Sequence, residues 1–195
     1  LADASDGSTS DGWLAGRLAS ELLSRPPRIR STRLLAIDGP AGSGKTSHAH
    51  AAAQRLVAMD LSAAVLDLDE LYDGWTGLNP ELEQRVLRQV LLPLVQGRRA
   101  RWQQYDWQRG AFNGWREMQP PDVLVLEGCG AGALCYATYT ALLVWLEAPP
   151  DVRVARAVRR DGEQVLEHWV AWSTGEERHF AANHTRGRAD VLVRT

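Results

Sequence analysis

Five short apolar runs punctuate the chain: Leu34 to Ile37, Ala63 to Leu68, Val123 to Leu126, Leu142 to Leu146 and Ala189 to Val193. The third and fourth are unbroken, without the polar alternation of a half-exposed strand, which predicts strands buried on both faces of a parallel sheet. Between the runs the spacing turns helical. Trp13, Leu14, Leu18, Leu22 and Leu23 predict a first helix that Pro26-Pro27 ends, and the alanine-rich Ser47 to Ala58 predicts a second. Asn79-Pro80 opens a third by the cap-then-proline rule, running to about Gln96 with Leu82, Val86, Leu87, Val90, Leu91 and Leu94 inward and Pro93 as a point of kinking or early ending. Asp151 to Arg160 and parts of Glu163 to Ala182 read as helix as well. Strands alternating with helices predict a three-layer α/β/α sandwich around a five-stranded parallel sheet, with ligands gathered at the carboxyl ends of the strands.

Length and composition narrow this picture. At 195 residues the chain suits one domain, expected over 13–195, and Leu1 to Gly12, rich in Asp, Ser and Gly, reads as a mobile lead-in. A net charge of -2 gives no electrostatic support for nucleic-acid binding. No apolar stretch approaches bilayer length, and no signal-like segment opens the chain, so neither a membrane partner nor secretion is expected. The two cysteines, Cys129 and Cys135, are too few for a disulfide framework, and a cytoplasmic setting with free thiols is expected.

The strongest chemical signal is Gly39-Pro40-Ala41-Gly42-Ser43-Gly44-Lys45-Thr46, which fits G-x-x-x-x-G-K-[ST] in full between a predicted strand and a predicted helix. Small residues at Gly39, Ala41, Gly42, Ser43 and Gly44 let backbone N–H groups turn toward phosphate oxygens. Lys45 reaches the outer phosphates, the Thr46 hydroxyl can ligate Mg²⁺, and Ser47 continues the helix start whose positive end faces the anion. A P-loop NTPase that binds ATP and Mg²⁺ is expected.

From about Leu34 to Val193 the chain resembles the uridine kinase and nucleoside kinase branch of the P-loop kinases, in five short blocks. They are Ile37 to Thr46, Asp69-Glu70-Leu71-Tyr72, Tyr105-Asp106-Trp107, Val125-Leu126-Glu127-Gly128 and Asp151 to Asp161. The resemblance implies an ATP-dependent phosphotransferase acting on a hydroxyl of a nucleoside-like small molecule. It makes Asp69 the base facing the acceptor, sets Tyr72, Tyr105, Asp106 and Trp107 against that acceptor, and places Glu127 near Mg²⁺ as a variant Walker B acid. It makes 151–161 a lid helix whose Arg153, Arg156 and Arg160 close over the phosphates, Arg153 on the nucleotide and the other two, with Lys45, on the transferring group. The chain departs from the pattern in lacking the further Arg-Gly stretch after Asp161, and its next segment is rich in Trp and His.

Each residue also has a plainer reading. Asp69 follows a strand, where aspartate is a common turn residue, and Asp67 two positions earlier can share or orient its site. A glutamate ending a buried strand, as Glu127 does, needs a compensating cation. The three arginines fall on one helical face, which suits a phosphate or simply water. Tyr105 and Trp107, with Trp102, Phe112 and Trp115, suit stacking on a flat group, with Asp106 or Arg109 bonding its edges, and equally suit packing under a loop. His168, His179 and His184, beside Trp169 and Trp172, lack metal-binding spacing and read as packing or surface residues. The fold also leaves room for a kinase of another hydroxyl compound, such as a sugar acid, vitamin precursor or antibiotic, or for a nucleotide-binding regulatory ATPase.

Overall fold

The computed structural model describes residues 7–195, with side chains from residue 12 onward. Of the expected lead-in, residues 1–6 lie outside the described residues, and the first helix, α1 (Gly7–Leu23), begins before Trp13. Leu14, Leu18, Ala19 and Leu22 of α1 are buried, whereas Trp13, expected on the same inward face, is exposed. The chain continues through β1 (Arg33–Asp38), α2 (Lys45–Val57) and β2 (Ala63–Asp67). Asn79 caps α3 (Pro80–Arg85) by accepting from the Leu82 N–H at 3.0 Å, as the cap-then-proline pattern predicts.

The helix then widens into a π turn over Val86–Leu91 before α4 (Leu92–Val95). Pro93 explains the widening: in a regular α-helix its ring would strike the carbonyl four residues back, and the wider spacing of the preceding turn relieves that contact. Two strands follow that the hydrophobic runs did not announce, β3 (Ala100–Asp106) and β4 (Ala111–Met118), paired as an antiparallel hairpin. Then come β5 (Val123–Glu127), β6 (Thr140–Glu147), α5 (Pro150–Asp161), α6 (Leu166–Asn183), α7 (Thr185–Arg188) and β7 (Val191–Arg194). The last strand starts two residues later than expected, because the Asp190 carboxylate turns back to accept from the Leu143 N–H at 2.8 Å and to pair with Arg25 at 2.8 Å.

The five expected strands form one parallel sheet in the order β2-β5-β1-β6-β7, and the hairpin stands apart from it. Every residue of β5 is buried, which accounts for its unbroken apolar run. Successive residues face opposite layers. Leu34, Leu66, Leu124 and Leu126 pack with Leu82, Val86 and Leu94, while Leu35, Ile37, Val123 and Val125 pack with Leu18, Leu22, Ala52 and Leu56. The architecture is therefore the expected α/β/α sandwich. The chain leaves β1 toward β2 and β5 on one side and later returns to β6 on the other, so a crevice opens at the carboxyl end of β1, where open parallel sheets bind ligands. Among the described residues, no helix is long and apolar enough to cross a membrane.

Candidate active site

The turn from β1 into α2 wraps that crevice. Gly39, Gly42 and Gly44 have φ of 145°, 77° and 90°, in the region that glycine adopts without a Cβ penalty. Space is as decisive as conformation: a methyl on Gly39 would overlap the Leu146 carbonyl, and one on Gly42 the Arg153 carbonyl. The loop is thus clamped between β6 and the start of α5. Lys45 is buried, with Nζ donating to the Pro40 carbonyl at 2.9 Å and to Cys129 Sγ at 3.5 Å. Burial opposes its charge, yet nearby Glu176, Glu127 and Asp38 hold its pKa above the ordinary value. Thr46 and Ser47 open to solvent at the head of α2.

Three acids end adjacent strands. Asp38 is fully buried, and burial pushes its pKa up to about 6 even though it accepts N–H groups from Gly39 at 2.7 Å, Gly130 at 2.9 Å and Gly132 at 2.8 Å. Those bonds brace the loop against the turn after β5. Asp67 and Glu127 are paired across β2 and β5. Burial and then the charge of Glu127 push Asp67 up to about 7, while Asp67 Oδ1 accepts from the Asp69 N–H at 2.8 Å. Burial likewise raises Glu127 against the pull of Lys45 and Thr46, and its Oε1 is buried without a hydrogen-bond partner.

Asp69 follows in a short turn and is exposed to solvent, yet the protein packed around its carboxyl and then Asp67 push it up to about 7 against Arg160 and Lys45. The structure therefore brings Lys45, Thr46, Asp67, Asp69 and Glu127 together. The three arginines of α5 expected to form a lid divide. Arg153 Nη1 donates to the Ala41 carbonyl at 3.2 Å, and Arg156 Nη1 to the Gly42 carbonyl at 3.4 Å and Thr195 Oγ1 at 3.0 Å. Arg160, further along α5, pairs with Asp161 at 2.8 Å and lies toward Asp67 and Asp69.

Tyr72, Tyr105, Asp106 and Trp107, expected against the acceptor, are each tied into the protein. Tyr72 is buried, and its hydroxyl donates to the Cys129 carbonyl at 2.8 Å, so its ring serves the core. Asp106 Oδ1 accepts from the Gln108 and Arg109 N–H groups at 3.0 Å each, shaping the hairpin turn on which Arg109 projects outward. Trp107 Nε1 donates to the Asp69 carbonyl at 2.9 Å, which hooks the hairpin onto the candidate base. Tyr105 packs edge-on between Trp107 and Phe112 at 5.3 Å and 5.2 Å. A concavity of about 380 Å³ beside these rings is lined by Gln104, Tyr105, Asp106, Trp107, Gln108 and Asn113.

Two participants escaped the motifs. Trp75 contacts Trp107 at 5.3 Å, stacks on His168 at 4.6 Å and meets Trp172 at 6.0 Å, so rings run from the hairpin to α6. On α6, His168, Trp172 and Glu176 recur every four residues on one face, and this spacing was the available signal. Glu176 is 2% exposed, and its Oε1 accepts from the Ala41 N–H in the phosphate loop at 2.7 Å.

A protein-family model described as an AAA domain matches residues 35–177, from β1 through α5 into α6. The chain belongs to the AAA domain family. No curated protein matches it in sequence. Its fold within this family is shared with solved structures of low identity. A possible uridine kinase from Bacillus stearothermophilus is 18% identical, with a TM-score of 0.68 over 92% of this chain and 96% of that one. A candidate fructose transport system kinase from Silicibacter sp. TM1040 is 23% identical, with a TM-score of 0.64 over 92% and 98%. The P-loop fold implies nucleotide binding in this AAA domain chain.

Among the described residues, no three His, Cys, Asp or Glu side chains are placed to hold a metal by themselves. A Mg²⁺ ion in a phosphate loop takes one or two protein oxygens and shares its other positions with phosphates and water. The unpartnered Glu127 Oε1 and the exposed Thr46, whose side chain bonds Glu127, fit such a donor set.

Proposed function

We propose that the chain is an ATP-dependent kinase that transfers the γ-phosphoryl group to a hydroxyl of a nucleoside or similar small molecule. The observation that carries this reading is the placement of Asp69, whose N–H is held by Asp67 at the end of β2 and whose carbonyl is held by Trp107 of the aromatic hairpin, with Lys45 and Arg160 acting on its carboxyl. A carboxyl poised near neutrality beside the phosphate loop suits proton acceptance from an alcohol. A slow regulatory ATPase has no use for such a base next to a ring-lined surface.

Gly39, Ala41, Gly42, Ser43, Gly44, Lys45, Thr46 and Ser47 would receive the phosphates on backbone N–H groups and the helix start. Thr46 and Glu127 would hold Mg²⁺, which when bound supplies charge neutralisation on the phosphate oxygens. Asp69 takes the acceptor proton, oriented by Asp67 through the Asp69 N–H and by Trp107 through the Asp69 carbonyl. Arg160, which lies toward both acids, balances charge on the migrating group, and Arg153 and Arg156 fix the loop from behind by its carbonyls. One fold neighbour is described as a possible uridine kinase and the other as a fructose transport system kinase, so the acceptor is sought among nucleosides and sugars. Free Cys129 and Cys135 suit a reducing cytoplasm.

The test is a panel of nucleosides and sugars scored by ADP release above the ATPase background. A true acceptor raises turnover, and Asp69→Asn should bind MgATP as before while losing about 10²- to 10⁴-fold in acceptor phosphorylation. Normal turnover in that variant would remove Asp69 as the base.

A further inference from the structure

Glu176 is buried on the phosphate loop, where an anionic ligand is expected, and the phosphotransfer chemistry above does not use it. Its Oε1 accepts from the Ala41 N–H at 2.7 Å, from Trp172 Nε1 at 2.7 Å and from Cys129 Sγ at 3.0 Å. Its Oε2 lies 3.9 Å from Arg153 Nη1, and that arginine also bonds the Ala41 carbonyl. Cys129 Sγ in turn receives Lys45 Nζ at 3.5 Å, so the carboxylate sits at the lysine end of the cradle. That end receives the outer phosphates of a nucleoside triphosphate.

We infer that Glu176 is a specificity-determining residue for the nucleotide, setting affinity for the triphosphate against the diphosphate. The inference rests on the reading of the loop as an ATP site. Its carboxylate holds a backbone donor of the phosphate cradle, and an outermost phosphate group must either displace it or bind beside a like charge. A diphosphate, one anionic group shorter, meets the carboxylate less directly. The released carboxylate lies near two cations, Arg153 at the head of the lid helix and Lys45 in the loop. It cannot leave without disturbing Trp172, which donates to it from the same face of α6 and which packs against Tyr72 at 5.1 Å and Trp75 at 6.0 Å. The third phosphate is therefore felt along α6 by the rings on the acceptor side.

Glu176→Gln isolates the charge, because the amide oxygen can still accept from Ala41 and Trp172. Calorimetric titration of the full chain with MgATP and MgADP should show MgATP binding tightened about tenfold in this variant and MgADP tightened clearly less. Trp172→Phe keeps an aromatic ring beside Tyr72 but deletes one donor to the carboxylate, and should shift the ATP-to-ADP affinity ratio the same way by a smaller factor. A merely structural Glu176 would weaken both nucleotides on substitution. Wild-type binding of MgATP with equal or weaker binding by Glu176→Gln, or both nucleotides moving together, overturns the inference and leaves the kinase reading intact. Should Glu176→Gln not fold, an unchanged ratio in Trp172→Phe overturns it. If the wild-type chain binds no magnesium nucleoside triphosphate, both fall. If MgATP binds as described but no acceptor is phosphorylated, only the kinase reading falls.

Discussion

At the scale of single residues, the site is built from carboxyl groups held in the wrong ionisation state for an exposed surface. Asp69 is pushed up to about 7 because burial and the neighbouring Asp67 both disfavour its charge, and Arg160 and Lys45 only partly offset them. A base must be ionised to accept a proton, so turnover with saturating MgATP should rise with pH through about 7 and level off above it. Arg160→Gln removes one of the charges that lower the Asp69 pKa, and the midpoint should move to higher pH. A profile flat from pH 5.5 to pH 8.5, measured where the chain stays folded, would mean that Asp69 does not carry the proton. Glu127 shows the same logic in another form. A buried glutamate with an unpartnered oxygen is costly unless a cation is supplied, and the Thr46 hydroxyl opens on the same crevice.

At the scale of elements, what could be read beforehand depended on whether the determinant was local. β1, β5 and β6 are enclosed by helices on both faces, so their composition alone reveals them. The hairpin stayed hidden because its pairing slips between Gln103 and Tyr105. That shift breaks the two-residue period that begins with Ala100 and Trp102, and most of β4 faces outward. The phosphate loop was legible because its spacing is dictated by the ligand. Glu176 was legible only as part of the four-residue spacing along α6, since nothing within that helix shows that it crosses the loop; tertiary packing brings it to Ala41. The junction of loop and lid is tight enough to test. Gly42 has φ of 77°, and its backbone lies against the Arg153 carbonyl, so Gly42→Ala strains the loop and pushes it off α5. The substitution should cost about 1–3 kcal/mol in stability and weaken MgATP binding at least about tenfold. Thermal melting and calorimetry on one preparation would check both, and an unchanged nucleotide affinity would show that the clamp does not shape the cradle.

At the scale of the whole molecule, the active-site acids should leave a mark on stability. Asp38 is raised to about 6 and Asp67 and Asp69 to about 7, whereas unfolded aspartates titrate near about 4. Between those limits the native chain binds more protons than the unfolded chain, so stability falls as pH rises from about 4 to about 7. His179 opposes this: burial lowers its pKa, so its share of stability grows as pH rises toward the ordinary histidine value. Glu147, held down to about 2 mainly by Arg186, with Asp106 and Asp122 also lowered, acts only at the acid end, where stability is lost as pH falls through their folded values. Four raised acids, Glu127 with the three aspartates, against one histidine give a net decline across the neutral range, so the chain without nucleotide should unfold at lower denaturant at pH 8 than at pH 5.5. Asp67→Asn removes one titrating group and relieves Asp69, whose pKa the Asp67 charge raises, so it should flatten that slope and raise stability at pH 8. Denaturant unfolding of both chains at matched ionic strength decides it: equal slopes would show that Asp67 does not carry the strain.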